Sequence, residues 1–142
     1  MKQLIQRALE HANRIAVEDG EEQFSYKDLL DHSHRVASGL LNGKQDLQGE
    51  RIAFLIPGRY QYLAVQWGIW RAGGIAVPLS IHHPQASLKY VLEDTGATTL
   101  VVAKEQMSIQ ASLANELELI LAIDDELMLS LIHISEPTRP FH

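Results

Sequence analysis

Apolar and polar positions change their period along the chain, and each change marks a different kind of element. Met1 to Glu10, carrying Lys2, Arg7 and Glu10, reads as a short amphipathic helix. Ile15-Ala16-Val17 and Gln23-Phe24-Ser25 flank the turn-forming pair Asp19-Gly20, which predicts a small β-hairpin. Ser25 is placed to cap the next helix, with Asp28 completing an approximate capping box. Along that helix Leu29, Leu30, Val36, Ala37, Leu40 and Leu41 recur at helical spacing, and Gly43 supplies a stop.

From Arg51 onward, short continuous apolar runs alternate with helical patterns. Ile52-Ala53-Phe54-Leu55-Ile56 is closed by Pro57-Gly58, and a run with no polar face suits a parallel strand covered on both sides. Tyr60, Leu63, Ala64, Trp67 and Trp70 then form one helical face, ended by Gly73-Gly74. Ile75 to Leu79 is the second strand, with Pro78 near its end, where a missing N–H does least damage. Pro84 opens a helix bearing Leu88, Val91 and Leu92 that stops at Gly96. Leu100-Val101-Val102-Ala103 is a third strand; a weaker helix around Glu105 to Ala114 leads to a fourth, Leu117 to Ile123. The expected fold class is α/β: an open, mostly parallel sheet built by right-handed βαβ crossovers, preceded by the small hairpin and helix. The strand from Leu117 to Ile123 is expected to leave an unpaired edge, and the domain is expected to be incomplete.

Composition narrows the chemistry. A chain of 142 residues fits one domain or part of one, and 46% hydrophobic with 21% charged residues is an ordinary globular mix. The net charge of −6, without a basic block, argues against a nucleic-acid partner. Having no cysteine, the chain holds no disulfide, thiolate nucleophile or thiolate metal site. No stretch is long enough to span a bilayer, and the first residues lack the apolar core and cleavage site of a signal peptide, so the expected location is cytoplasmic.

The last residues differ in character from the rest. Leu129 to Pro140 resembles the translation of a transposase-type sequencing adaptor, twelve residues in succession. Native sequence is therefore expected to end near Met128, dividing the chain into 1–128, native, and 129–142, a non-native adaptor-like tail.

Three separated motifs carry a resemblance to a family. Trp70-Arg71-Ala72-Gly73-Gly74-Ile75-Ala76-Val77-Pro78-Leu79, followed by Pro84, resembles the AGG–x–x–VPL signature near the front of the adenylate-forming (AMP-binding) superfamily. Phe24-Ser25-Tyr26-Lys27-Asp28-Leu29 resembles that family's lead-in to its first long helix. Tyr90-Val91-Leu92-Glu93-Asp94-Thr95-Gly96-Ala97 resembles the end of a later one. Ala64-Val65-Gln66-Trp67 through Leu79, with His82-His83-Pro84, is closest to the malonyl-CoA synthetase-like branch of the AMP-forming acyl-CoA synthetases. The resemblance implies a ligase that activates a small-molecule carboxylate with ATP and Mg to an acyl-adenylate and passes it to CoA.

The motifs present have a reason in backbone geometry. Successive glycines let a chain leave a helix at positive φ and approach a sheet closely, so Gly73, Gly74 and Pro78 are expected to shape the turn and not to touch ligand. What the resemblance assigns to catalysis, a Ser/Thr/Gly-rich loop ending in Lys and a late lysine, does not occur here. Gly43-Lys44-Gln45 lacks the hydroxyl and the Gly-rich turn of a phosphate loop. Among the seven histidines, His32 and His34 point to different sides of a helix and His82 and His83 share a loop. No third ligand completes a metal set, and surface positions are expected for all four. Catalytic, cofactor-binding and metal residues are accordingly all expected to be none, and the chain itself inactive. The alternative, a self-standing α/β binding or regulatory module, calls for a Gly-rich turn after the first parallel strand or acids clustered at strand ends. Pro57-Gly58-Arg59 and Leu79-Ser80-Ile81 stand there instead.

Overall fold

The computed structural model describes residues 1–135; the last part of the adaptor-like segment, 136–142, lies outside the described residues. Helix α1 (Lys2–Glu10) leads into a hairpin of β1 (Ile15–Asp19) and β2 (Glu22–Ser25), then α2 (Tyr26–Leu41). Strand β3 (Arg51–Leu55), helix α3 (Tyr60–Arg71), strand β4 (Ile75–Leu79), helix α4 (Gln85–Thr95) and strand β5 (Thr99–Ala103) follow. The chain continues through α5 (Met107–Leu113), β6 (Leu119–Ile123) and β7 (Leu129–Ile134).

Local chemistry sets the ends of these elements. Ser25 Oγ accepts from the Asp28 amide at 3.1 Å while Asp28 Oδ2 accepts from the Ser25 amide at 2.9 Å, a complete capping box. At the other end of α2 the left-handed residue is Asn42, at φ 47°, with Gly43 following at φ 90°. Helix α4 stops at Gly96 in the left-handed conformation, as its position in the sequence implies.

The main sheet has the order β4-β3-β5-β6-β7. Strands β4, β3, β5 and β6 run parallel, and β7 lies antiparallel on β6. Alternation along each strand divides the core in two. Ile52, Phe54, Val101 and Leu121 face Val36, Leu40, Ala64 and Trp67 of α2 and α3. Ala53, Leu55, Leu100, Val102, Ile120 and Ala122 face Leu88, Leu92 and Leu113 of α4 and α5. Helices thus cover both faces, as a parallel sheet requires. Pro78 sits in β4, an outer strand, where its missing N–H breaks no interior ladder.

Two expectations need correction. The edge of β6 is not left open: Leu129 to Ile134 pairs along it, because Leu129 and Ile132 reach the two core faces. Trp70, expected beside Trp67 on a buried face, is 38% exposed. Three residues along a helix leave the two side chains about 60° apart, and the buried seam of α3 runs through Val65, Gly68 and Ile69 instead. Gly68 belongs there by necessity, since a Cβ on it would lie 2.5 Å from Val36 Cβ on α2.

The turn from α3 into β4 is where the signature glycines act. Gly73 stands at φ 84°, and a Cβ there would meet the Asp46 carboxylate. A Cβ on Gly74 would come within 3.2 Å of the Glu50 carbonyl. This closeness lets the segment before β3 bond directly to the turn: Leu47 N to Ala72 O and Gly49 N to Gly73 O at 2.8 Å, and Ile75 N to Glu50 O at 2.9 Å. The expectation that these glycines shape the backbone thus has a concrete form, a clasp that brings β3 and β4 together at Arg51 and Ile75.

Gly73→Ala is expected to cost about 1–3 kcal/mol, through both the left-handed φ and the crowding of Asp46. Urea unfolding should show a lower midpoint with an unchanged slope. Adding Asp46→Ala should restore only the crowding part, so most of the loss should remain.

Candidate functional site

In an open α/β sheet the physically favoured ligand position is the crevice beyond the carboxyl ends of the strands, where the chain order reverses. Here the first parallel strand, β3, has β4 on one side and β5 on the other, so the reversal falls between β3 and β5. Pro57-Gly58-Arg59 leaves β3 there, and Lys104-Glu105 leaves β5.

That crevice is already filled. The Arg59 guanidinium donates to the Glu105 carboxylate, tying the two loops together. The cavity beside them, bordered by Ile56, Gln61, Asp124 and Asp125, is about 10 Å³, enough for one water at most. The N-terminus of α3 would be the natural seat for a phosphate. Its Tyr60 amide instead donates to Asp19 Oδ2 at 3.0 Å, so an acid from the hairpin occupies the anion position. Neither partner is legible from spacing. Asp19 reads locally as a turn residue, and Arg59 and Glu105 meet only because two crossovers bring their loops side by side.

A larger cleft, about 800 Å³, opens at the opposite, amino end of the strands. Lys44, Glu50, Thr99, Asn115 and Glu118 are among its lining residues, and the Thr99 hydroxyl donates to Glu50 Oε2 at 3.2 Å. Strand amino ends are not where such sheets gather catalytic groups. Lys44 belongs to the stop of α2, its amide bonded to Leu41 O.

The histidines separate. His82 and His83 are exposed after β4, and His34 is exposed on α2. Among the described residues no group of three or more His, Cys, Asp or Glu is placed to hold a metal. His32 departs from the expected surface role. It is half-buried, and its Nδ1 lies 2.6 Å from the hydroxyl of Tyr60, which is buried and stacked on Phe24 with ring centroids 3.6 Å apart. Burial holds the His32 imidazole below its ordinary value, with Arg35 adding to the effect against Asp28 and Asp31. Burial pushes the Tyr60 phenol up, so it stays protonated beside the ring, and the imidazole tautomer sets which of the two donates. This arrangement joins hairpin, α2 and α3. Nearby, Arg71 of α3 donates to Leu30 O at 2.7 Å and to the buried Ser33 Oγ at 2.9 Å. Both contacts hold the fold together; Arg71 also borders an open cleft of about 560 Å³ with Leu30, Asp31, His34 and Arg35.

The chain belongs to the AMP-binding enzyme family, which it matches over residues 4–140. Its fold is that of the N-terminal part of adenylate-forming ligases. Malonate–CoA ligase ACSF3, mitochondrial, of Mus musculus is 37% identical over 115 residues, covering 78% of this chain and 20% of that protein. A plipastatin synthase subunit of Bacillus subtilis is 31% identical over 99 residues, covering 70% of this chain and 4% of that protein. The crystal structure of the anthranilate CoA ligase AuaEII in complex with anthranoyl-AMP superposes with a TM-score of 0.74 at 23% identity, over 85% of this chain and 24% of that one. The chain thus spans about a fifth of the length of the mouse ligase.

The depressed His32 value carries a sign. The unfolded ring takes up a proton near its ordinary pKa, while the folded site resists, so the unfolded state binds more protons as pH falls. Stability from this site is full above about pH 6.5 and declines as pH drops toward the folded value. Urea midpoints measured from pH 7.5 to 5 should fall, and His32→Gln should flatten that decline.

Proposed function

We propose that residues 1–128 form the opening part of an AMP-dependent acyl-CoA synthetase that activates a small dicarboxylate of the malonate class. The observation that carries this reading is one segment, Ala64 to Pro84. Its signature residues coincide with the α3–β4 clasp, and the mouse relative with the higher identity is named a malonate–CoA ligase. A self-standing binding module is disfavoured by the closed crevice between β3 and β5.

Two contacts support a reading in which ATP, Mg and CoA are held elsewhere: the ion pair in the switch-point crevice, and Asp19 at the α3 N-terminus. The proposal therefore assigns no catalytic or cofactor residue to this chain and expects it to be inactive alone. The nucleotide loop, the late lysine and a cationic partner for the second carboxylate of the substrate belong to the remaining length of such a ligase. For that partner an arginine is best suited, because its guanidinium binds a carboxylate through two parallel hydrogen bonds. No nucleic acid enters the scheme, in keeping with the charge of −6. Among the described residues no helix is long and apolar enough to cross a membrane. A cytoplasmic location is part of the proposal; the mitochondrial label is the mouse protein's own.

We also read 129–142 as foreign to the domain. Strand β7 supports this by fitting its slot imperfectly. Leu131 and Ile134 are 59% and 67% exposed, the register slips beside Ile120, and the buried His133 Nε2 has no partner among the described residues.

The test is to extend the gene beyond Met128, express the product and compare malonate, methylmalonate, acetate and long-chain fatty acids in a CoA- and ATP-dependent assay. Malonate or methylmalonate is expected to be preferred by at least tenfold in kcat/KM, about 1.4 kcal/mol of transition-state discrimination. Turnover of a long-chain acid with none of malonate would overturn the substrate class and leave the ligase reading standing.

A further inference from the structure

The connection between β6 and β7 combines a strained turn with a strand whose anchors all lie elsewhere. Five residues, Asp124 to Met128, reverse the chain. Leu127 within them is held at φ 64° although it is a buried leucine, a conformation that a γ-branched side chain rarely adopts. The turn is fixed by Asp124 Oδ1, which accepts from the Glu126 amide at 2.9 Å and the Met128 amide at 3.0 Å. From outside it is held by Arg35, donating to Glu126 O at 2.8 Å, and by Gln61, donating to Asp125 O at 3.4 Å.

The contacts that seat β7 are of a different kind. It pairs with β6 from Leu119 to Ile123, Leu129 lies against Gly39 of α2, and Ile132 packs on the α4–α5 face of the core. None of these requires that β7 come from the same polypeptide. A short hinge under strain, joined to an element that can be supplied equally well in trans, is the physical condition for exchange between identical chains.

We propose that two copies of this chain exchange β7 reciprocally, each placing its Leu129–Ile134 on the β6 edge of the other. The exchange keeps the pairing on β6, lets Asp124–Met128 extend, and releases Leu127 from the left-handed region. Met128, 48% exposed beside the turn, gains cover where the two extended hinges run together. What opposes opening is the loss of the Asp124 bonds to the Glu126 and Met128 amides, of the side-chain bonds to the hinge carbonyls and of the burial of Leu127, together with the entropy of association, so the balance depends on concentration. The slot and its occupant are both in the 142-residue chain, the segment read as foreign included, so no outside partner is needed.

The complete chain contains no cysteine, which allows a direct test. Ala122 and Ser130 are paired across β6 and β7. In the double variant Ala122→Cys, Ser130→Cys, oxidation links residues within one chain if β7 folds back and between chains if it is exchanged. Light scattering of the eluting protein should show a dimer that grows with concentration, and the isolated dimer should run as a covalent dimer on a non-reducing denaturing gel. Without cysteines, the hinge can be tested by light scattering alone. Arg35→Ala should raise the dimer association constant severalfold, and two glycines inserted between Asp125 and Glu126 should lower it at least tenfold. A chain that stays monomeric at every concentration would overturn the proposal. So would a dimer cross-linked only within its chains, or a dimer fraction indifferent to both hinge variants.

Discussion

The contact on which the rest of the sheet depends is the clasp between residues 47–50 and 72–75. Amides of Leu47 and Gly49 bond to the carbonyls of Ala72 and Gly73, and Ile75 bonds back to Glu50. These bonds form only if the backbone at Gly73 and Gly74 comes closer than a side chain would allow. They set β3 against β4 from the first residue pair, and β5 and β6 then add to the other side of β3. Parallel strands cannot be aligned by a tight hairpin, so register must come from the crossover itself. The residues that resemble the family's signature thus sit at a helix-to-strand turn, where close backbone approach sets the register.

The same geometry explains why the expected ligand position is closed. Asp19 of the hairpin reaches the N-terminus of α3, and Phe24 stacks on Tyr60 in the first turn of that helix. The hairpin is therefore a brace for α3, and its acid neutralises the positive end of the helix where an anion would otherwise bind. Arg59 and Glu105 close the gap between the β3 and β5 loops. The proposal that this chain acts as framework rests on that sealed switch point, with helical layers on both faces of the sheet.

Much of the fold was legible because local signals and burial agree. The Ser25–Asp28 capping box, the continuous apolar runs of β3 and β5 and the glycine at the end of α4 each state their structure within a few residues. Trp70 was less legible, because periodicity counts apolar residues and cannot see that Gly68 is what lets α3 meet Val36. Which edge β7 takes was also hidden, since that depends on a vacancy elsewhere in the chain. At the candidate site only the local turn and helix signals were readable. The groups that fill the crevice were not, because Asp19 and Tyr60 are 41 residues apart and Arg59 and Glu105 are 46 apart. Likewise His32 reads as one of several helix-surface histidines until the fold brings Tyr60, 28 residues away, against it.

The central claim is that this chain carries the family's framework without its chemistry. Carboxylate-dependent exchange of labelled pyrophosphate into ATP reports formation of an acyl-adenylate and needs neither CoA nor product release. The purified 142-residue chain, supplied with malonate and magnesium, should give exchange indistinguishable from a protein-free blank. Exchange above that blank, with host enzymes excluded by a matched mock purification, would contradict the account.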